Sequence, residues 1–320
     1  MATNKELIRL PIATQPVRLK RLRKNEISVG ANVILNVLFL VSIALIIIPF
    51  VLLVTVSVSD NDTLIQEGYR FIPNVWSGDA YTFLFESPRL VRDAYMVTII
   101  VTVVGTFGHV LLGALVGYSL TKTRMPGHTF ITIFVFFTML FNGGLVSTYI
   151  INTQFLGFRN AFRGLILPLM FNVWHVLILR TYFATAIPAS IEESARIDGA
   201  NDLRIFFQIV VPLSKPVLAT IGLFAALIYW NDWFQSLLYI TDPRMYTLQF
   251  VMLQTLRQIE MMQRLLTMGA PGDVVDRLRD LPAESVRFAM VVVSIGPIVF
   301  AYPFFQRYFV KGVTIGALKG

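Results

Sequence analysis

Apolar residues in this chain fall into long, nearly uninterrupted runs separated by shorter charged segments. Six stretches stand out, at 33–58, 94–120, 129–151, 164–187, 216–241 and 288–306, and the only charges inside them are Arg180 and Asp232. Each is long enough to cross a bilayer as a helix, which needs about 20 apolar residues, and in hydrocarbon only a helix or a closed barrel satisfies its own backbone. The pattern predicts an all-α integral membrane protein with six transmembrane helices. Arg180 sits near one end of its run, where its stem can carry the charge to the headgroups.

Composition agrees: 55% of the 320 residues are hydrophobic and only 14% charged, with a mean hydropathy of +0.67, well above the soluble mixture. The absence of cysteine removes disulfides and thiolate metal sites. His109, His128 and His175 show no metal-ligand spacing, so no metal and no resident cofactor is expected. The net charge of +8 could suggest a nucleic-acid partner, but the basic residues lie between apolar runs rather than on a polar domain. The bilayer is the expected partner, and nucleic acid is not.

Seven Lys or Arg precede the first run, which is too long for a signal-peptide core and lacks a small-residue cleavage site after it. This reads as an uncleaved first span behind a basic tail, 1–32. With the N-terminus inside, the segments 1–32, 121–128, 188–215 and 307–320 hold 15 basic and six acidic residues. The opposite segments, 59–93, 152–163 and 242–287, hold 11 basic and 12 acidic ones. The positive-inside rule therefore predicts both termini in the cytoplasm and a spanning domain over 33–306, with outer loops at 59–93 and 242–287. Within the second loop, TMGAPGD reads as a turn between two short amphipathic helices.

The inner segment 188–215 contains EESARIDGANDLRIFFQIVVP. Ser190 is a candidate cap with Glu193 as the return half of a capping box, and Gly199 a left-handed stop. Asn201 or Asp202 can start a second short helix, which Pro212 ends. Ser194, Ala195, Gly199 and Ala200 are small enough to let a partner approach closely, and Ile191, Ile197 and Leu203 supply apolar grip. An ordinary solvated loop would need none of this order.

Glu193-Ser194-Ala195, three residues, Gly199, nine residues, Ile209, one residue, Val211-Pro212 resembles the EAA loop of ABC-importer permease subunits, with Ser194 in place of Ala and Val211 in place of Leu. TMLFNGGLVSTYIINTQFLGFRNAF at 138–162, YWNDW at 229–233 and YPFFQRYFVKGVTIGALKG at 302–320 look like the carbohydrate branch of that family. They are most similar to permeases of the maltose-permease-like, type I group that import polysaccharide fragments such as aldouronate and alginate. The likeness runs from about the first span to the last residue and covers the basic tail least.

The resemblance implies a coupling helix that docks on a cytoplasmic ATPase, carried here by Glu193, Ser194, Ala195, Asp198, Gly199, Ile209 and Pro212. It implies a C-terminal tail at 307–320 reaching between two ATPase subunits through Gly312, Gly316 and Lys319, against the alternative of a frayed polar end. Other implied partners are a second homologous permease, an extracytoplasmic solute-binding protein and an oligosaccharide substrate, with an acidic, alginate-like sugar as the narrower expectation. The implied location is the bacterial cytoplasmic (inner) membrane.

Asp232 either lines the transport path with Trp230, Asn231 and Trp233 or, with Trp230 and Asn231, bonds helices near the outer interface, since a charge at a span's centre must face protein or a wet cavity. Asn172, one turn before His175, is a further path candidate, with helix packing as the alternative reading. Gly105, Gly108, Gly113 and Gly117 on the second run could mark a close helix contact but carry no function.

The chain lacks a Gly-x-x-x-x-Gly-Lys-Ser/Thr phosphate loop, so ATP and Mg belong on separate ATPase subunits and this chain is expected to be non-catalytic. His-Glu-x-x-His and Gly-x-Ser-x-Gly motifs are also missing. The other reading, an ion-coupled secondary transporter or channel, calls for intramembrane carboxylates, and Asp232 alone supplies one.

Overall fold

A computed structural model describes residues 28–86, 88–268, 283–296, 298–299 and 303. The described residues are helical apart from turns, extended linkers and one isolated antiparallel bridge between Ser59 and Trp76. Contacts divide the chain into two units, 1–50 and 51–320. The first contains most of α1 (Val29–Ser57), an apolar helix with Pro49 inside it.

The second unit is organised around α4 (Pro88–Ser119), a 32-residue helix. Before it lie α2 (Asn61–Glu67) and α3 (Asp79–Leu84) in the loop 59–93. After it come α5 (His128–Leu140), α6 (Leu145–Ile150) running into a π turn at Ile151–Phe155, and α7 (Phe162–Ile166) running into a 3-10 turn at Leu167–Leu169. α8 (Val173–Ala186) and α9 (Ala189–Ile197) follow. α10 (Asp202–Ile205) continues through a π turn at Phe206–Val210 into α11 (Val211–Leu213). The remaining helices are α12 (Lys215–Trp230), α13 (Phe234–Tyr239), α14 (Leu248–Thr267) and α15 at 283–296.

α4 packs most extensively on α12 and α8, and its glycines make this possible. A Cβ on Gly105 would stand 2.4 Å from the ring carbon Cζ of Tyr229, and one on Gly117 would stand 3.2 Å from the Val176 carbonyl oxygen on α8. Small residues that let helices close in are how membrane helices gain packing when lipid is as apolar as the side chains. The glycine pattern was therefore a packing signal. Ala114, Tyr118, Leu179, Phe183, Ile205, Phe206 and Ile221 form one core cluster where α4, α8, α10, the π turn and α12 meet.

Among the described residues, two helices are continuous, long and apolar enough to cross a membrane, Val29–Ser57 and Arg89–Ser119, or up to five if each bent pair is one span. The run 129–151 is bent by 114° between His128–Leu140 and Leu145–Phe155. Gly144 has φ +82 and its N–H bonds the Asn142 side chain at 2.8 Å, which replaces helical pairing with a turn. The run 164–187 bends by 51° before Val173, and Asp202–Leu213 meets Lys215–Trp230 at 84°. The run 216–241 breaks at Asn231–Trp233, so Asp232 lies in a turn and not at a helix centre. Residues 297, 300–302 and 304–306 of the run 288–306 lie outside the described residues, as does most of TMGAPGD.

Candidate functional site

Three local devices shape the segment 188–215. Pro188, with φ −63 and ψ 130, starts α9, which places Ser190 inside the first turn; its hydroxyl makes no cap and the expected capping box does not form. Gly199 adopts φ +83 and its N–H bonds the Arg196 carbonyl at 3.0 Å, so the left-handed stop is as expected. Asn201 caps α10 by accepting the Arg204 N–H at 2.8 Å. The second helix then runs one residue past Pro212, to Leu213.

α9 buries none of its residues fully. Ala195, Ala200 and Ile209 are half-buried against the core cluster of α4, α8 and α10, so the small size of Ala195 serves packing within the chain. Glu193, Ser194, Asp198, Gly199 and Pro212 are exposed, and Ile197 retains 87% of its surface. An apolar side chain that bare beside two carboxylates and a glycine turn forms a small, mixed, exposed surface.

Behind that surface runs a chain of charges. Lys122, in the turn after α4, pairs with Glu192 of α9, and its ammonium stands 4.2 Å from the centre of the Tyr118 ring. Arg196 approaches Glu192 at 3.8 Å and bonds Asp202 at 3.0 Å. The hydrogen bond to Asp202 raises the Arg196 guanidinium above its ordinary value. Tyr118, Lys122, Arg196 and Asp202 border a cleft of about 630 Å³ between the turn at 121–126 and α9–α10. Neither Lys122 nor Glu192 was singled out from sequence, since 70 residues separate them.

The path candidates divide. Trp230 is buried and donates its indole N–H to the Ser294 carbonyl at 3.0 Å, tying α12 to α15. Asn231 is exposed and bonds the Leu227 carbonyl at 2.8 Å. Half-buried Asp232 accepts the Gln235 N–H at 3.1 Å, while its backbone carbonyl accepts the Thr247 hydroxyl at 3.0 Å. Asn172 caps α8 through the His175 N–H at 3.2 Å, and no hydrogen bond among the described residues joins it to 230–232. The tail residues Gly312, Gly316 and Lys319 lie outside the described residues.

A buried histidine pair was also missed. His109 Nε2 and His175 Nδ1 are 2.8 Å apart, and His109 Nδ1 lies 3.0 Å from the Leu169 carbonyl. A carbonyl only accepts, so Nδ1 of His109 carries the proton there, and in the neutral rings His175 Nδ1–H donates to Nε2. His109 thus holds both sides of the bend between Leu169 and Val173. Replacing His109 with Phe strands a carbonyl and a ring N–H, and each buried unpaired group costs about 1–3 kcal/mol. The thermal midpoint of detergent-purified protein should fall by several degrees, with His109→Gln losing less.

The described residues of the second unit thus form a helical bundle whose charged segment 188–215 presents a short, exposed helix. The chain belongs to the family of carbohydrate ABC-importer permeases. It is 36% identical over 285 residues to the polygalacturonan/rhamnogalacturonan transport system permease protein YtcP of Bacillus subtilis, covering 88% of this chain and 96% of that one. To the trehalose/maltose transport system permease protein MalG of Thermococcus litoralis it is 28% identical, over 85% of this chain and 91% of that one. Among solved structures it resembles a chain of a bacterial ABC transporter involved in the import of the acidic polysaccharide alginate. The TM-score is 0.73 at 29% identity, over 89% of this chain and 99% of that one. No protein-family model matches the chain. The ion-coupled transporter or channel reading has no support from these relatives.

Proposed function

We propose that this chain is one of two homologous permeases that together form a path through the bacterial cytoplasmic membrane for oligosaccharides. Its six spans place both termini inside. A solute-binding protein delivers sugar at the outer loops, 59–93 and 242–287, and two ATPase subunits bind and hydrolyse ATP with Mg, so this chain itself is non-catalytic. Closure of the ATPases biases the path between outward and inward opening, which requires an interaction that differs between the two states. α9 is the coupling helix making that interaction, with Glu193, Ser194, Asp198 and Gly199 toward the ATPase and Ala195 and Ile209 seating the segment on the bundle. The carrying observation is the exposure of Ile197 beside those residues on a helix with no buried position.

An acidic, alginate-like oligosaccharide is the narrower substrate proposal, supported by the likeness to the alginate importer. The tail at 307–320 is proposed to contact the ATPases. Co-purification from the native membrane, followed by ATPase assay with a binding protein loaded with alginate-derived or neutral oligosaccharides, tests this. The expected result is recovery with a second permease and an ATPase, stimulated by the acidic sugar. Recovery of this chain alone, with ion-driven uptake in liposomes, would overturn the importer assembly, and stimulation by neutral sugars alone would overturn the acidic substrate.

A further inference from the structure

α9 is thinly attached to the bundle it must move. It has no fully buried residue, and its polar ties to the membrane helices run through Glu192. Glu192 pairs with Lys122, the third residue past the end of α4, and the two side chains keep only 13% and 23% of their surface. That shielding separates the contact from the exposed surface pairs that contribute little.

The far end of the contact is firmly based. Lys122 stands over Tyr118, and the Tyr118 ring packs on Phe206 at 5.4 Å and Phe183 at 6.4 Å between centroids. Through that platform the cation is referenced to α4, α8 and the π turn together. α4 in turn packs on α12, α8 and α14, so displacement of its inner end reaches most of the second unit.

We infer that Lys122 is a positioning residue for transport, the strut through which movement of α9 reaches α4. The inference rests on α9 being the coupling helix. A push on α9 toward the bundle is carried by the apolar seat of Ala195. A pull away from it, or a slide along it, has no such stop, because apolar contacts are non-directional. The Lys122–Glu192 pair resists both, since charge-assisted hydrogen bonds are directional and shorter than neutral ones. Arg196 lies 3.8 Å from the same Glu192 carboxylate and bonds Asp202 at 3.0 Å, so Glu192 holds Lys122 on its bundle side and an α9 cation on the other.

The test uses the whole complex in proteoliposomes, with loaded binding protein, and reads both ATP hydrolysis and sugar uptake. Lys122→Met should assemble but lose about tenfold in uptake per ATP hydrolysed, within the range of coupling between contacting residues. Lys122→Arg should retain uptake, and Lys122→Glu combined with Glu192→Lys should recover much of what either single reversal loses. A merely structural lysine would change yield and stability without changing uptake per ATP. Normal uptake per ATP in Lys122→Met, with coupling still lost in Gly199→Pro, overturns the strut and leaves the coupling helix standing. Normal coupling in both variants overturns the coupling helix and the strut together. Failure of the charge exchange to restore uptake overturns the ion pair as the link.

Discussion

Gly199→Pro is expected to remove substrate-stimulated ATPase activity, by about tenfold or more, while the complex still inserts and co-purifies. Gly199 holds φ +83 and donates its N–H to Arg196. Proline fixes φ near −65°, has no N–H, and disfavours the helical region for the residue before it, here Asp198. The turn that presents Asp198 and directs the chain into α10 is lost. Gly199→Ala is the informative control. No atom lies within 4 Å of a Cβ there, so alanine meets only the left-handed penalty of about 1–2 kcal/mol and should keep most of the stimulation. Equal loss in both variants would mean that the backbone of the turn is not what matters, and full stimulation of the proline variant would remove α9 from the coupling mechanism.

Gly105→Leu should be strongly destabilising. The added Cβ falls 2.4 Å from a ring carbon of Tyr229. That ring is 1% exposed and its hydroxyl is tied to the Ile166 carbonyl at 2.8 Å, so it has nowhere to swing. Overpacking costs about 1–3 kcal/mol, and breaking the buried hydrogen bond adds about 1–3 kcal/mol more. Thermal unfolding of detergent-purified protein should show a markedly lowered midpoint or little recoverable protein. Pairing Gly105→Ala with Tyr229→Leu gives the cycle that isolates the contact. The double variant should be more stable than the sum of the single losses predicts, and strict additivity would refute the contact.

What the sequence disclosed depended on how local the determining chemistry was. Gly199 and Asn201 act within three residues of themselves, and both stand where their chemistry put them. Ser190 failed as a cap because Pro188, two residues earlier, already sets the φ that begins the helix. Hydropathy identified apolar runs but not their straightness: Asn142-Gly143-Gly144 is visible as a turn signal within 129–151, yet the run remains apolar across it. Asp232 looked like a charge inside a span because the run 216–241 was read as one helix, and the turn at Asn231–Trp233 is what accommodates it. Lys122 with Glu192, and His109 with His175, are joined only by the tertiary fold, and no spacing rule connects residues 66 or 70 positions apart.

On the proposed topology, the break after α5 also requires protein or water beside this chain. Thirteen residues of helix from His128 reach about 20 Å, short of the roughly 30 Å of hydrocarbon in a bilayer. On the topology proposed above, with His128 at the inner surface, residues 141–144 fall at a depth where acyl chains offer neither donor nor acceptor, and all four are exposed in the isolated chain. Irregular backbone survives at that depth only against protein or water. On that topology the stretch Phe141-Asn142-Gly143-Gly144 marks a side of the molecule that lipid cannot solvate, and anything that removes both the neighbouring protein and the water there should leave this chain unable to stay in the membrane in its present form.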